Sequence, residues 1–166
     1  MRPIGLLMLV VTLASSACAT LGGLGSLVRA PQFQEAPDHS AEIRLMSPSL
    51  DNPIGGAGVR LWAKITNPNP FGFTLGTLRG TVFLEETRAA TVDFPLGLPL
   101  AARADTTVPI DVTISFADVP RLADVIRRAI GNQPIAYRLD GTISVETGAF
   151  GTPVFGPMTL LTGTVR

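Results

Sequence analysis

The sequence predicts a mainly β fold: an antiparallel β-sandwich of immunoglobulin or fibronectin III-like type, with about seven strands and one α-helix. Three observations carry this. Val108, Ile110, Val112, Ile114 and Phe116 alternate with Thr107, Pro109, Asp111, Thr113 and Ser115, which is the period of a strand with one buried face. Ile135, Tyr137, Leu139, Gly141, Ile143 and Val145 alternate in the same way. A single stretch has helical spacing, with Val119, Leu122, Val125, Ile126, Ala129 and Ile130 on one face. A chain of 166 residues is long enough for one domain with a true hydrophobic core.

The elements follow in order from Ala41. Ile43 and Leu45 begin the first strand, and Pro48 to Gly58 is a loop rich in Pro, Gly and Asn. Val59 to Ile65 is a half-buried strand. Phe73 to Leu84 is a long strand with Gly76 and Gly80 as sites for a bend or bulge. Glu85 to Arg88 makes a hairpin turn, and Ala90, Val92 and Phe94 return from it. Pro95 to Ala104 reads as a loop because of its prolines. Pro109 predicts that the next strand lies at an edge or begins pairing late. In the helix, Asp118 is the candidate cap, Pro120 fits the first turn and Gly131 the stop. The helix must cover an open end or flank of the sandwich. Val154 to Val165 is the last strand. The chain contains no internal repeat, second domain or low-complexity tail.

Between two of these strands lies Ile65-Thr66-Asn67-Pro68-Asn69-Pro70-Phe71. Each proline biases the asparagine before it away from the helical region and removes a ladder donor. The Asn67 and Asn69 side chains can bond nearby backbone and stand in for a turn. The segment predicts a stiff corner, with both asparagines structural. Asn67-Pro68-Asn69-Pro70-Phe71 after a strand, with one helix before the strand Tyr137-Arg138-Leu139-Asp140-Gly141, resembles the late embryogenesis abundant type 2 family, also called the WHy (water stress and hypersensitive response) domain. The resemblance covers residues 41–166. It implies the same sandwich, and a non-catalytic role in protecting proteins or membranes under water stress, here in a bacterial lipoprotein form.

Composition removes much chemistry. Lys plus Arg and Asp plus Glu each number 13, so no basic surplus suggests nucleic acid. Cys18 is the only cysteine and His39 the only histidine, which excludes an intramolecular disulfide, a Ser-His-Asp or Cys-His arrangement within the fold, and a Cys/His zinc site. No phosphate-binding glycine loop is present. Glu85-Glu86, the densest acidic pair, sits at the hairpin turn and reads as solvated. No catalytic residue, metal or cofactor is expected.

Residues 1–17 have the layout of a secretory signal peptide: Arg2, an apolar run from Ile4 to Ala14, then Ser15-Ser16-Ala17 before Cys18. The run is shorter than the roughly 20 residues of a membrane span. A lone cysteine there predicts a lipidated N-terminus at Cys18. Ser15 and Ala17 also suit ordinary signal peptidase, so two routes of export stay open. Acylated Cys18 would attach the protein to a bacterial membrane, at the periplasmic face or the outer membrane, and Ala19 suits onward export. Residues 18–40 read as a flexible tether that places the domain on the order of 25 Å from the surface.

Arg121, Arg127 and Arg128 read as a solvated helix face, with contact to anionic headgroups or partners as the alternative; Trp62 reads as packed under the tether or helix, or else as an exposed contact for a partner or membrane; Tyr137 reads as core with its hydroxyl at the rim. Three functional classes follow: the water-stress module; an apolar-ligand or lipid-binding module with the helix as lid; and an envelope assembly or adhesion module. Candidate partners are the membrane, client proteins or lipid. Oligomeric state is left open.

Overall fold

The computed structural model describes residues 27–50, 53–115 and 122–165. The leader, Cys18, Phe116, Asp118, Val119, Pro120 and Arg121 lie outside the described residues. Among the described residues, eight strands and one α-helix run in the order β1 (Gln32–Glu35), β2 (Glu42–Met46), β3 (Gly56–Thr66), β4 (Phe73–Leu84), β5 (Thr87–Leu100), β6 (Asp105–Ser115), α1 (Ala123–Ile130), β7 (Ile135–Glu146) and β8 (Val154–Val165). They make two antiparallel sheets. In the first, β3 is central, with β6 along one side and β1 and β2 end to end along the other. The second has the order β5-β4-β7-β8.

The alternation of the sequence sets the register. Val59, Leu61, Ala63 and Ile65 of β3 point inward with Ile110, Val112 and Ile114 of β6. They meet Leu75, Leu78, Val82 and Leu84 of β4 and Leu139, Ile143 and Val145 of β7. Full burial of one such side chain stabilises the fold by about 1.5–3 kcal/mol. Leu122, Val125, Ile126 and Ala129 of the helical segment close one end of the sandwich against Ile43, Leu45, Ala57, Leu84 and Ile114. Gly131 ends α1 as expected, its N–H donating to Arg127 O at 3.0 Å.

Three features differ from the sequence expectation. The stretch from Pro95 to Ala104 is not a loop: β5 runs on to Leu100, and only residues 101–104 turn. Leu96, Leu98 and Leu100 alternate inward, and β5 is an edge strand, where prolines are tolerated because no outer neighbour needs their N–H. Second, the chain bulges beside Gly76 but not at Gly80, which pairs in register with Gly141. Third, residues 27–40 are not free tether. Gln32–Glu35 is a strand paired with Ala63–Thr66, and Val28 and Ala36 are only 4% and 2% exposed. The folded domain therefore begins before residue 41.

Proline marks every exposed strand edge. Pro95 and Pro99 lie in β5, Pro109 in β6 and Pro157 in β8. The fourth edge consists of the short β1 and β2, flanked by Pro31, Pro37 and Pro48. Such edges resist pairing with another chain.

Candidate functional site

The Asn-Pro corner is a closed hydrogen-bond cluster. Asn67 and Asn69 are both fully buried, and each side chain is used at both ends. Asn67 Nδ2 donates to Phe71 O at 2.8 Å and to Ala101 O at 2.9 Å. Its Oδ1 accepts from Asn69 N at 2.9 Å and from Asn69 Nδ2 at 3.0 Å. Asn69 Nδ2 also donates to Arg29 O at 2.9 Å, while Asn69 Oδ1 accepts from Arg29 N at 2.8 Å. The Asn69 amide thus mimics a β-bridge partner for Arg29. Main-chain bonds from Asn67 N to Ala104 O and from Arg103 N to Asn69 O tie in the β5–β6 turn. Pro68 and Pro70 need no donor partners, so the corner satisfies itself. Phe71 packs on Phe150 with ring centroids 5.3 Å apart.

Tyr137, Leu139 and Gly141 lie on β7, in the other sheet. Leu139 is fully buried core. Gly141 faces Gly80, and an added Cβ would fall 2.8 Å from Gly80 Cα, inside the backbone of β4. Tyr137 is buried, and its hydroxyl donates to Glu35 Oε1 at 3.1 Å. Burial, with the Glu35 charge and hydrogen bond adding to it, pushes the phenol well above its ordinary range.

The two motif segments do not meet each other. They grip the same piece of chain at two points, Asn69 of the β3–β4 turn holding Arg29 and Tyr137 of β7 holding Glu35. Sequence reasoning missed residues 29–35 as part of the site, because nothing in their own spacing shows partners so distant in the chain. His39 stacks on Trp62 with centroids 4.2 Å apart, and Ala36 N donates to Trp62 O at 3.0 Å. Trp62 is thus half-buried beneath the segment assigned to the tether.

Both outer sheet faces carry paired charges. Arg60 holds Asp111 through two bonds of 2.6 and 3.0 Å, and Lys64 lies 2.6 Å from Asp105. These cations hold both carboxyls below the usual range. On the second sheet Arg79 pairs with Asp93, and Arg138 bridges Glu86 and Asp140. A hydrogen bond from Thr159, then one from Arg138, lowers the Asp140 carboxyl. Glu85 and Glu86 form the hairpin turn with positive φ and take Arg128 and Arg138 as partners.

Among the described residues, no three of His, Cys, Asp and Glu come together as metal ligands. No described helix is long and apolar enough to cross a membrane. The crevice beneath α1 holds a cavity of about 10 Å³.

The family model described as late embryogenesis abundant protein (LEA_2) matches residues 63–158, from within β3 into β8. This chain belongs to that late embryogenesis abundant family. The span includes both motif segments and leaves β1 and β2 outside. The fold resembles the solution structure of AT1g01470 from Arabidopsis thaliana at 15% identity and a TM-score of 0.54, covering 75% of this chain and 76% of that one. It also resembles the solution structure of the late embryogenesis abundant (LEA) protein At2g46140.1 at 14% identity and a TM-score of 0.51, covering 95% and 82%. At these identities the likeness is one of fold. No curated protein matches the chain.

Proposed function

We propose that this late embryogenesis abundant protein is a non-catalytic envelope lipoprotein. It is held to a membrane by acylated Cys18 and protects proteins or membranes when water is withdrawn. The observation that carries the reading is the sealed sandwich. Its core is filled, its corner polar groups are satisfied, the charges on its sheet faces are mostly paired and its edges bear prolines. Drying crowds proteins and exposes strand edges, which recruit one another. A domain with blocked edges and ion-paired faces can lie against such neighbours without nucleating their aggregation. It works by contact and needs no acid, base or nucleophile.

Cys18 supplies the attachment, since its thiol would carry the glyceride and each buried methylene contributes roughly 0.8 kcal/mol. Cys18→Ser is expected to release the protein into the soluble fraction, and equal fractionation of variant and parent would refute the anchor. A strain lacking the protein is expected to survive drying and osmotic shock less well. Unchanged survival, with the parent confirmed to express it, would refute the protective role. A lipid carrier needs an apolar chamber, and engineered sites that bind benzene measure roughly 150 Å³. The crevice under α1 is far smaller, and the larger hollow of about 580 Å³ beside Gly72 and Glu146 is an open surface concavity, not an enclosed apolar chamber.

A further inference from the structure

We propose that the corner end of the sandwich is a docking surface for anionic phospholipid, so that the domain stands with the Asn-Pro corner against the bilayer and α1 pointing away. The proposal deepens the lipoprotein reading and rests on it.

The chain enters the fold at one end only. Arg29 is pinned through both its backbone groups to Asn69, so the first described residues sit beside the corner. Nine chain steps separate Cys18 from Leu27. Whatever their conformation, they reach at most about 30 Å. The 12 residues of β4 run from the corner end toward the α1 end. At roughly 3.3 Å per residue they span about 40 Å. An inverted domain, with α1 on the membrane, would hold Leu27 about 40 Å above the anchor, beyond the reach of the linking chain. Only the corner end and the flanks near it can approach the surface.

The same end has the chemistry for that approach. Leu27 is 58% and Phe150 39% exposed, the latter resting on Phe71 of the corner. Arg29 and Arg103 both bind Asn69 through main-chain atoms, leaving their exposed guanidiniums free of any ion pair among the described residues. The carboxylates at this end are Glu146, at the close of β7, and Asp105, which Lys64 neutralises. At the α1 end Arg127, Arg128 and Arg138 are matched by Asp124, Glu85 and Glu86, and the exposed Leu45, Met46, Arg88 and Ile130 there lie beyond the reach of the anchored chain. Two free cations beside two exposed apolar side chains suit a headgroup layer, where each arginine strengthens association by about fivefold.

The test uses the full-length acylated protein in vesicles of phosphatidylcholine and phosphatidylglycerol with nitroxide-labelled headgroups. Acylation occupies Cys18, so Ala102→Cys in the β5–β6 turn and Gln133→Cys in the turn after α1 each give one free thiol for a fluorophore. The label at 102 is expected to be strongly quenched and the label at 133 not. Equal quenching, or stronger quenching at 133, would overturn the proposal. Replacing both Arg29 and Arg103 by Gln is expected to reduce quenching at 102 several-fold while the protein still sediments with the vesicles. Unchanged quenching would overturn the headgroup contact. Failure of the parent to sediment with vesicles would instead refute the anchor, and this proposal with it.

Discussion

Asn67→Ala tests the corner most severely. The Asn67 side chain donates to Phe71 O and Ala101 O, more weakly to Leu100 O at 3.4 Å, and accepts from Asn69 N and Asn69 Nδ2. Alanine removes all of these and brings no replacement. Asn67 is fully buried, so water does not reach the groups left behind without the corner opening. A buried group stripped of its partner costs about 1–3 kcal/mol, and an ordinary bond about 0.5–1.5 kcal/mol. Asn69 Nδ2 keeps Arg29 O, which limits its loss. The total is about 3–5 kcal/mol, a large share of a domain's stability. Urea unfolding followed by the fluorescence of Trp62, the only tryptophan, measures it. Asn67→Asp is expected to be as damaging, because a carboxylate would face two carbonyl oxygens. A loss below about 1 kcal/mol for Asn67→Ala would refute the argument that the asparagines replace backbone pairing at the corner.

Tyr137→Phe removes the hydroxyl bonded to Glu35 and is expected to cost about 1 kcal/mol. Hydrogen exchange should show the loss first in β1, ahead of the central strands. Gly141→Ala drives a methyl into the backbone of β4 opposite Gly80, and is expected to lower stability by about 2 kcal/mol or more, read from the urea midpoint. Acid should weaken the fold. Asp105, Asp111 and Asp140 are held below their ordinary value of 3.8, so the unfolded chain binds protons more readily than the folded one as pH falls through about 4. Lys64 and Arg60 are raised, so their contribution is complete at neutral pH and is lost only above their folded values. The urea midpoint should stay level from about pH 5 to about pH 9 and then decline below about pH 4. Because these pairs are exposed, salt should flatten that decline.

The sequence showed the long strands because burial on one face leaves a period of two. The alternations of Val108 to Ile114 and of Ile135 to Val145 are the inward rows of β6 and β7. The corner was legible for a different reason: Asn-Pro-Asn-Pro has few conformations, and its side chains must supply the missing bonds. Pro95, Gly97 and Pro99 concealed the end of β5. Their composition is that of a loop, and only the position at a sheet edge makes them acceptable in a strand. The N-terminal segment was hidden more deeply. Gln32 to Glu35 shows no apolar alternation; Arg29 just before it finds its partner 40 residues away at Asn69, and Glu35 finds one 102 residues away at Tyr137. Such pairings arise from the topology of the two sheets, which local pattern does not encode.

The central claim is that protection comes from the folded sandwich and not from the composition of the chain. The direct measurement is to dry a labile enzyme with the acylated protein on vesicles, rehydrate, and assay the activity that survives. The parent is expected to preserve activity, while an acylated variant with residues 27–166 in shuffled order, which keeps the composition and loses the fold, should preserve none. Equal preservation by the unfolded variant would contradict the account.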